Sequence, residues 1–184
     1  NYRNPNEQKN DKRSRGHIVK NFLTSEKTPY AFLNELQKER HHYPGFNVLA
    51  ADQENFYYYS NVENKILKIN PGIHGLSNHL LNTPWPKVEK GKKRLQMLIE
   101  TNEINRETLF NLLADKEFAR AEQLPKTGVP LEIEKQLSSI FIEMNDYGTR
   151  CSTVILVDNE GTVSFYERTF PSNKEVAYQF NILK

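Results

Sequence analysis

The chain has 184 residues and 21.5 kDa, with 25 Lys plus Arg against 23 Asp plus Glu, a net charge of +2 and a pI near 8.5. That length suits one ordinary domain or two very small ones, and so even a charge balance gives no general reason to expect nucleic acid as a partner. One cysteine, Cys151, excludes an internal disulfide framework, and no apolar run approaches the ~20 residues that span a bilayer.

Hydrophobic residues make up only 37%, yet 9 Tyr, 10 Phe and 1 Trp supply enough bulky core material to exclude disorder throughout. Residues 1–15 (NYRNPNEQKNDKRSR) are polar without a hydrophobic period and are expected to be a solvated, mobile lead-in. Ile18, Phe22 and Leu23 form a short apolar stretch. Thr28 then offers a cap and Pro29 a first helical position, and Ala31, Phe32, Leu33 and Leu36 repeat at helical spacing up to Pro44-Gly45. The period changes to strand type over Phe46–Ala51 and Phe56–Tyr59, with Asp52–Asn55 as the turn and a third strand at Lys65–Ile69. A loop covers Asn70–Asn82. Thr83-Pro84 opens a long helix anchored by Trp85, Val88, Leu95, Leu98 and Ile99, and a second runs from Arg106 to Asp115 with Leu109, Leu112 and Leu113 inward.

Ala121–Pro130 is expected to be a surface loop, Leu131–Leu137 a helical turn and Ser139–Glu143 a short strand. The last third is plainly β: Thr149–Val157, a hairpin loop ending in Gly161, Val163–Phe170 and Val176–Ile182. The predicted whole is a single mixed α/β domain over residues 1–184, with β-hairpins flanking a helical middle.

Few residues point to chemistry. His41 and His42 are adjacent, His74 and His79 lie in or near a loop, and no pair has helical zinc-site spacing, so no metal is expected. The run Lys90–Arg94 reads as a solvated helix face, Phe56–Tyr59 as sheet packing, and Cys151 as a small buried hydrophobe without an acid or base beside it. Two polar clusters are less bland. Gly72–Asn78 sets two glycines around a turn and ends in an Asn that could cap a helix, fill a turn or aim an amide into a cleft. Tyr147-Gly148-Thr149-Arg150 puts a guanidinium at the mouth of an apolar strand, where it pairs with a carboxylate or lines a site.

These clusters, together with Asn1-Tyr2-Arg3-Asn4-Pro5, Ser14-Arg15-Gly16, Tyr43-Pro44-Gly45-Phe46-Asn47, Thr83-Pro84-Trp85-Pro86-Lys87 and Glu167-Arg168, resemble the NRDE family, also called the transport and Golgi organisation protein 2 family. The matching pieces run in order through nearly the whole chain. Members of the family begin with Met-Cys and carry an Asn-Arg-Asp-Glu segment, neither of which is present, so the chain is expected to be the family's larger C-terminal portion. Its first residue, Asn1, reads as a fragment or a processed product.

The resemblance implies an α+β fold, a four-layer αββα sandwich similar to N-terminal nucleophile hydrolases, incomplete at its N-terminus. In such enzymes an N-terminal Cys attacks an amide. By that likeness Asn78 would donate to an oxyanion or a substrate amide, Arg150 would tune the thiolate, and Asn1 would match a further site Asn. Ser77, His74 and Trp85 are the implied ligand contacts, and Asn78 and Arg150 are expected to converge on one hollow. No cofactor is implied. The expected partners are the missing N-terminal segment or a second chain, and a small substrate or apolar ligand. The setting is expected to be cytoplasmic. The function so implied is a cysteine-type amidohydrolase acting on a small acylated amide, its nucleophile in the absent segment. The alternatives are a non-catalytic carrier or chaperone of haem or an acyl lipid, and an interaction module without a small-molecule site.

Overall fold

In the computed structural model, which describes residues 1–7 and 11–182, the chain divides into two units: Asn1–Pro84 with Lys126–Val129, and Trp85–Pro125 with Pro130–Lys184. Each carries one three-stranded antiparallel sheet and helices of its own, so the mixed α/β expectation holds among the described residues.

In the first unit the apolar stretch at Ile18–Leu23 is a full helix, α1 (Gly16–Leu23). Helix α2 (Pro29–Lys38) begins as expected: the Thr28 side chain accepts from the Ala31 N–H and Pro29 occupies the first turn, where its missing donor costs nothing. Strands β1 (Asn47–Ala51), β2 (Phe56–Ser60) and β3 (Lys65–Lys68) pair in sequence order. Their register aligns Val48, Tyr59 and Ile66, so alternation puts these with Ala50 and Tyr57 on one face. That face packs on Ile18, Leu33, Leu36, Tyr43 and Phe46. Tyr43 and Phe46, and Phe46 and Tyr59, meet edge to face at 5.8 Å.

Of the polar lead-in expected to be mobile, residues 8–10 lie outside the described residues. Around them the Tyr2 N–H donates to Gly45 O (3.0 Å), the Arg3 N–H to Asn78 O (2.7 Å) and the Arg13 N–H to His42 O (2.7 Å). The Arg15 guanidinium also reaches Gly45 O at 2.9 Å.

In the second unit α3 (Pro86–Glu100) starts two residues later than Thr83-Pro84 suggests, with Trp85 at its cap. Trp85 and Val88 are buried. Ile99 shares their stripe but falls in the last turn and is 49% exposed, so burial stops before the periodicity does. Helix α4 (Arg106–Leu113) is closed by a reciprocal capping box between Asn105 and Thr108 and buries Phe110 and Leu112. The short α5 (Leu131–Gln136) follows.

The strand expected at Ser139–Glu143 does not form; the stretch makes only an isolated bridge, Glu143 to Gly148. Buried Ser139 turns its hydroxyl to Phe141 O at 2.6 Å, a local bond that competes with strand pairing. Strands β4 (Cys151–Val157), β5 (Thr162–Thr169) and β6 (Lys174–Asn181) then make the second sheet, with Gly161 in the left-handed conformation its hairpin needs.

Alternation on β4 buries Ser152 and Val154 and turns Cys151 outward, which corrects the expectation of a buried cysteine. The same register gathers Ile155, Phe165 and Tyr178, and Val157, Val163 and Phe180, on that outward face. Of these, Ile155, Val157, Tyr178 and Phe180 are exposed. No helix among the described residues is long and apolar enough to cross a membrane.

Leu33 is fully buried in the first unit's core. Leu33→Ala is expected to lower stability by about 2–5 kcal/mol, because a residual cavity adds to the lost transfer energy. A urea titration followed by far-UV circular dichroism measures it.

Candidate functional site

In the first unit the loop before α3 holds three of the six residues singled out from sequence, His74, Ser77 and Asn78, and Asn1 lies in the same unit. The Asn78 side-chain amide donates to the Asn1 carbonyl at 3.2 Å, while the Asn78 carbonyl accepts from Arg3. Asn1 and Asn78 are therefore brought together, with half-buried Ser77 beside them. His74 works inside its own loop. The Asn82 side-chain oxygen accepts from the Gly75 N–H, which leaves the Asn82 amide to donate to His74 Nδ1 (3.0 Å). His74 Nδ1 is thus an acceptor, and Nε2 carries the proton donated to Asn70 O (2.9 Å).

A second network lies next to Asn78. Tyr2 Oη meets His79 Nε2 and Thr83 Oγ1 meets His79 Nδ1, both at 2.9 Å. The Asn47 amide donates to His79 O, the Tyr58 hydroxyl to Asn47 Oδ1, and the Leu81 N–H to the Tyr58 hydroxyl. Burial pushes the His79 pKa below its ordinary value and pushes that of Tyr58 up. Sequence reasoning weighed His79 only as a metal ligand. Its ring spacing to Tyr2, 77 residues away, has no local signature.

In the second unit Arg150 lines a cleft of about 790 Å³ at the open end of β4, with Phe141, Tyr147, Phe170 and Asn173 among its walls. A tight turn shapes one wall: Met144 N–H donates to Tyr147 O, Thr149 N–H to Ile142 O, and Ile142 N–H to Thr149 Oγ1. Gly148 is required there, since a Cβ would stand 2.8 Å from Ile142 O. Phe141 and Phe170 meet at 4.8 Å and 89°, and Lys116, ion-paired with Glu143, stands 5.2 Å over the Phe141 ring.

The Arg150 guanidinium makes no hydrogen bond or ion pair among the described residues. Trp85, buried at the start of α3, is not among the residues lining this cleft. Of the walls, Tyr147 was singled out from sequence; Phe141, Phe170 and Asn173 were not. An aromatic residue in an apolar run carries no sign of which cavity it borders.

Several other charges of this unit make structural ion pairs. Lys90 and Arg94 both reach Asp115 at 2.7 Å, so part of the basic run taken for a solvated face anchors α3 instead. Burial alone would push the Asp115 carboxyl up, but the hydrogen bond from Lys90 and the paired charges bring it below its ordinary value. Arg168 donates to both oxygens of Glu107 (2.8 and 2.9 Å) and to Glu175 (2.6 Å), and lies 4.0 Å over the Phe110 ring. The bond from Arg168 holds Glu107 below the usual carboxylate range. Among the described residues no three His, Cys, Asp or Glu side chains cluster as metal ligands would.

Comparison with known proteins places the chain among relatives of one kind. A family profile described as "Transport and Golgi organisation 2" matches residues 1–172. The mouse (Mus musculus) Transport and Golgi organization 2 homolog is 34% identical over 183 residues, covering 92% of this chain and 66% of the relative. The bovine (Bos taurus) and human (Homo sapiens) Transport and Golgi organization protein 2 homologs are 36% and 33% identical over 171 residues, each covering 85% of this chain and 62% of the relative. The chain thus spans 62–66% of the length of these curated relatives.

His79 generates a pH prediction. Its lowered folded pKa means that the unfolded chain binds the proton more readily. Its contribution is present above the ordinary histidine pKa of about 6.5 and is lost as pH falls through the folded value. Urea midpoints are expected to drop on acidification from about pH 7 to about pH 5, and to drop less in His79→Gln. Parallel pH profiles for the two proteins would assign the loss to other groups.

Proposed function

The chain belongs to the Transport and Golgi organisation 2 family, and from that premise we propose that it holds a small molecule with an apolar body and an anionic head in the cleft beside Arg150. This is the carrier or chaperone reading, with an acyl lipid or haem as the class of ligand. One observation carries it: the exposed Arg150 guanidinium, which makes no ion pair among the described residues, and the rings of Phe141, Tyr147 and Phe170 border the same 790 Å³ space, whose rim also carries the Lys116–Glu143 pair and Asp146. Clefts of about 300–1,000 Å³ with apolar walls and few placed polar groups are the usual form of small-molecule sites. A planar guanidinium is suited to a carboxylate or phosphate, and the rings to a flat or chain-like body.

A second reading rests on the contact between Asn1 and Asn78. Only one hydrogen of the Asn78 amide is used on the Asn1 carbonyl, so the other can serve a developing oxyanion. In this reading the protein is a cysteine-type amidohydrolase acting on a small acylated amide, and another segment of the protein supplies the thiolate. The four-layer αββα sandwich belongs to the same proposal, supported by the build of each unit by itself, helices with a three-stranded antiparallel sheet. An exposed free thiol at Cys151 fits a reducing, cytoplasmic setting.

Calorimetric titration with a carboxylate-headed amphiphile separates the readings. Arg150→Ala is expected to weaken binding by about 10- to 100-fold, the worth of a hydrogen bond to a charged group, with Arg150→Lys intermediate and the far-UV spectrum unchanged. Equal affinity in Arg150→Ala would remove the carrier reading from this cleft. If the protein instead hydrolyses acylated amides, Asn78→Ala should raise the barrier by roughly 2–4 kcal/mol.

A further inference from the structure

Phe170 borders two spaces at once. One is the cleft that holds Arg150; the other is a smaller cavity of about 290 Å³ lined by Phe110, Ser152 and Arg168, with Ala114 and Asn173 common to both. We propose that the Phe170 ring is the wall that sets how long an apolar chain the Arg150 cleft accepts, and that the smaller cavity is the space it withholds. The inference rests on the carrier reading given above and assigns its specificity to one side chain.

The arginines of the two cavities differ in their pairing, and that difference favours one end for the ligand's head. Arg168, in the smaller one, is already neutralised by Glu107 and Glu175 and stands 4.0 Å over the Phe110 ring. Arg150, in the larger one, has no such partner among the described residues. An anion therefore gains most at Arg150, and whatever is attached to it has the aromatic wall ahead of it.

Head site and wall are also held in step. The Phe170 N–H donates to the Arg150 carbonyl at 2.8 Å, and the Phe170 ring is braced edge-on by Phe141 at 4.8 Å. Backbone pairing thus fixes the Arg150 and Phe170 main chains beside each other, and the wall itself is held by Phe141. Behind the wall Phe110, itself buried, offers apolar surface that a longer chain would cover.

The test is the affinity of the full chain for straight-chain carboxylates of increasing length, octanoate through stearate, by isothermal titration. In the wild type each added methylene is expected to tighten binding about three- to fourfold until the chain meets Phe170, and to add nothing beyond. Phe170→Ala should move that limit to longer chains, and Phe170→Leu should move it less far. Adding Ala114→Leu to Phe170→Ala refills the shared space and should return the limit towards the wild-type length.

If Phe170→Ala fails to fold, as far-UV circular dichroism would show, the Leu variant carries the comparison. An unmoved limit in folded Phe170 variants overturns the inference while leaving the carrier reading intact. If the wild type binds no carboxylate of any length, the carrier reading falls and this inference falls with it.

Discussion

The register of β4 on β5 is the constraint on which the second unit depends. Every pair from Cys151–Thr169 to Val157–Val163 keeps the same step, so the residues just past its open end, Arg150 and Phe170, come out opposite each other and bonded through their backbones. Because side chains alternate, a slip of one residue would turn Ser152 and Val154 outward and bring Cys151, Thr153 and Ile155 in. It would also separate the guanidinium from the aromatic wall. The geometry of the cleft follows from strand pairing together with the tight turn that shapes one of its walls.

Charge in this unit is divided between two uses. Arg168, Glu107, Glu175 and Arg106 link α4 to the sheet, while Lys90, Arg94 and Asp115 tie α3 to the turn after α4. An exposed pair such as Arg106–Glu107 adds little, whereas the pairs on Asp115 are partly buried, and what all of them supply is orientation. Once those pairings are made, Arg150 stands apart from them among the described residues, which is why the proposed anion site lies there and not at Arg168. The first unit uses neutral groups for the same purpose: Tyr2, His79, Thr83, Asn47 and Tyr58 form one connected set that fastens the start of the chain and the loop around Asn78 to the sheet. In partial burial such a set constrains position only while each member keeps its partner.

Membership of the Transport and Golgi organisation 2 family was legible from short motifs, and the profile and the mammalian relatives agree with that reading. Motifs of that kind identify positions such as Asn78 and Arg150 without saying what each side chain faces. The coordinates add that Asn78 is bonded to Asn1 in the first unit, and that Arg150 opens on aromatic rings in the second. They also give His74 and Trp85 local tasks, one inside a loop and one buried at a helix start.

Local interactions left plain marks on the sequence. Thr28-Pro29 marks the start of α2, the Asp158–Gly161 turn sets the second hairpin, and the alternation of Val163 and Phe165 gives a strand, because capping, left-handed turns and side-chain period act within a few residues. Tertiary structure alone decided the rest. Ser139 chose a local bond over a strand, Cys151 faces outward, Lys90 and Arg94 turned from solvent to Asp115, and Phe170 came to border two cavities. Each of those outcomes depends on a partner or a packing face that the local sequence does not specify, and neither spacing nor composition along the chain carries that distance.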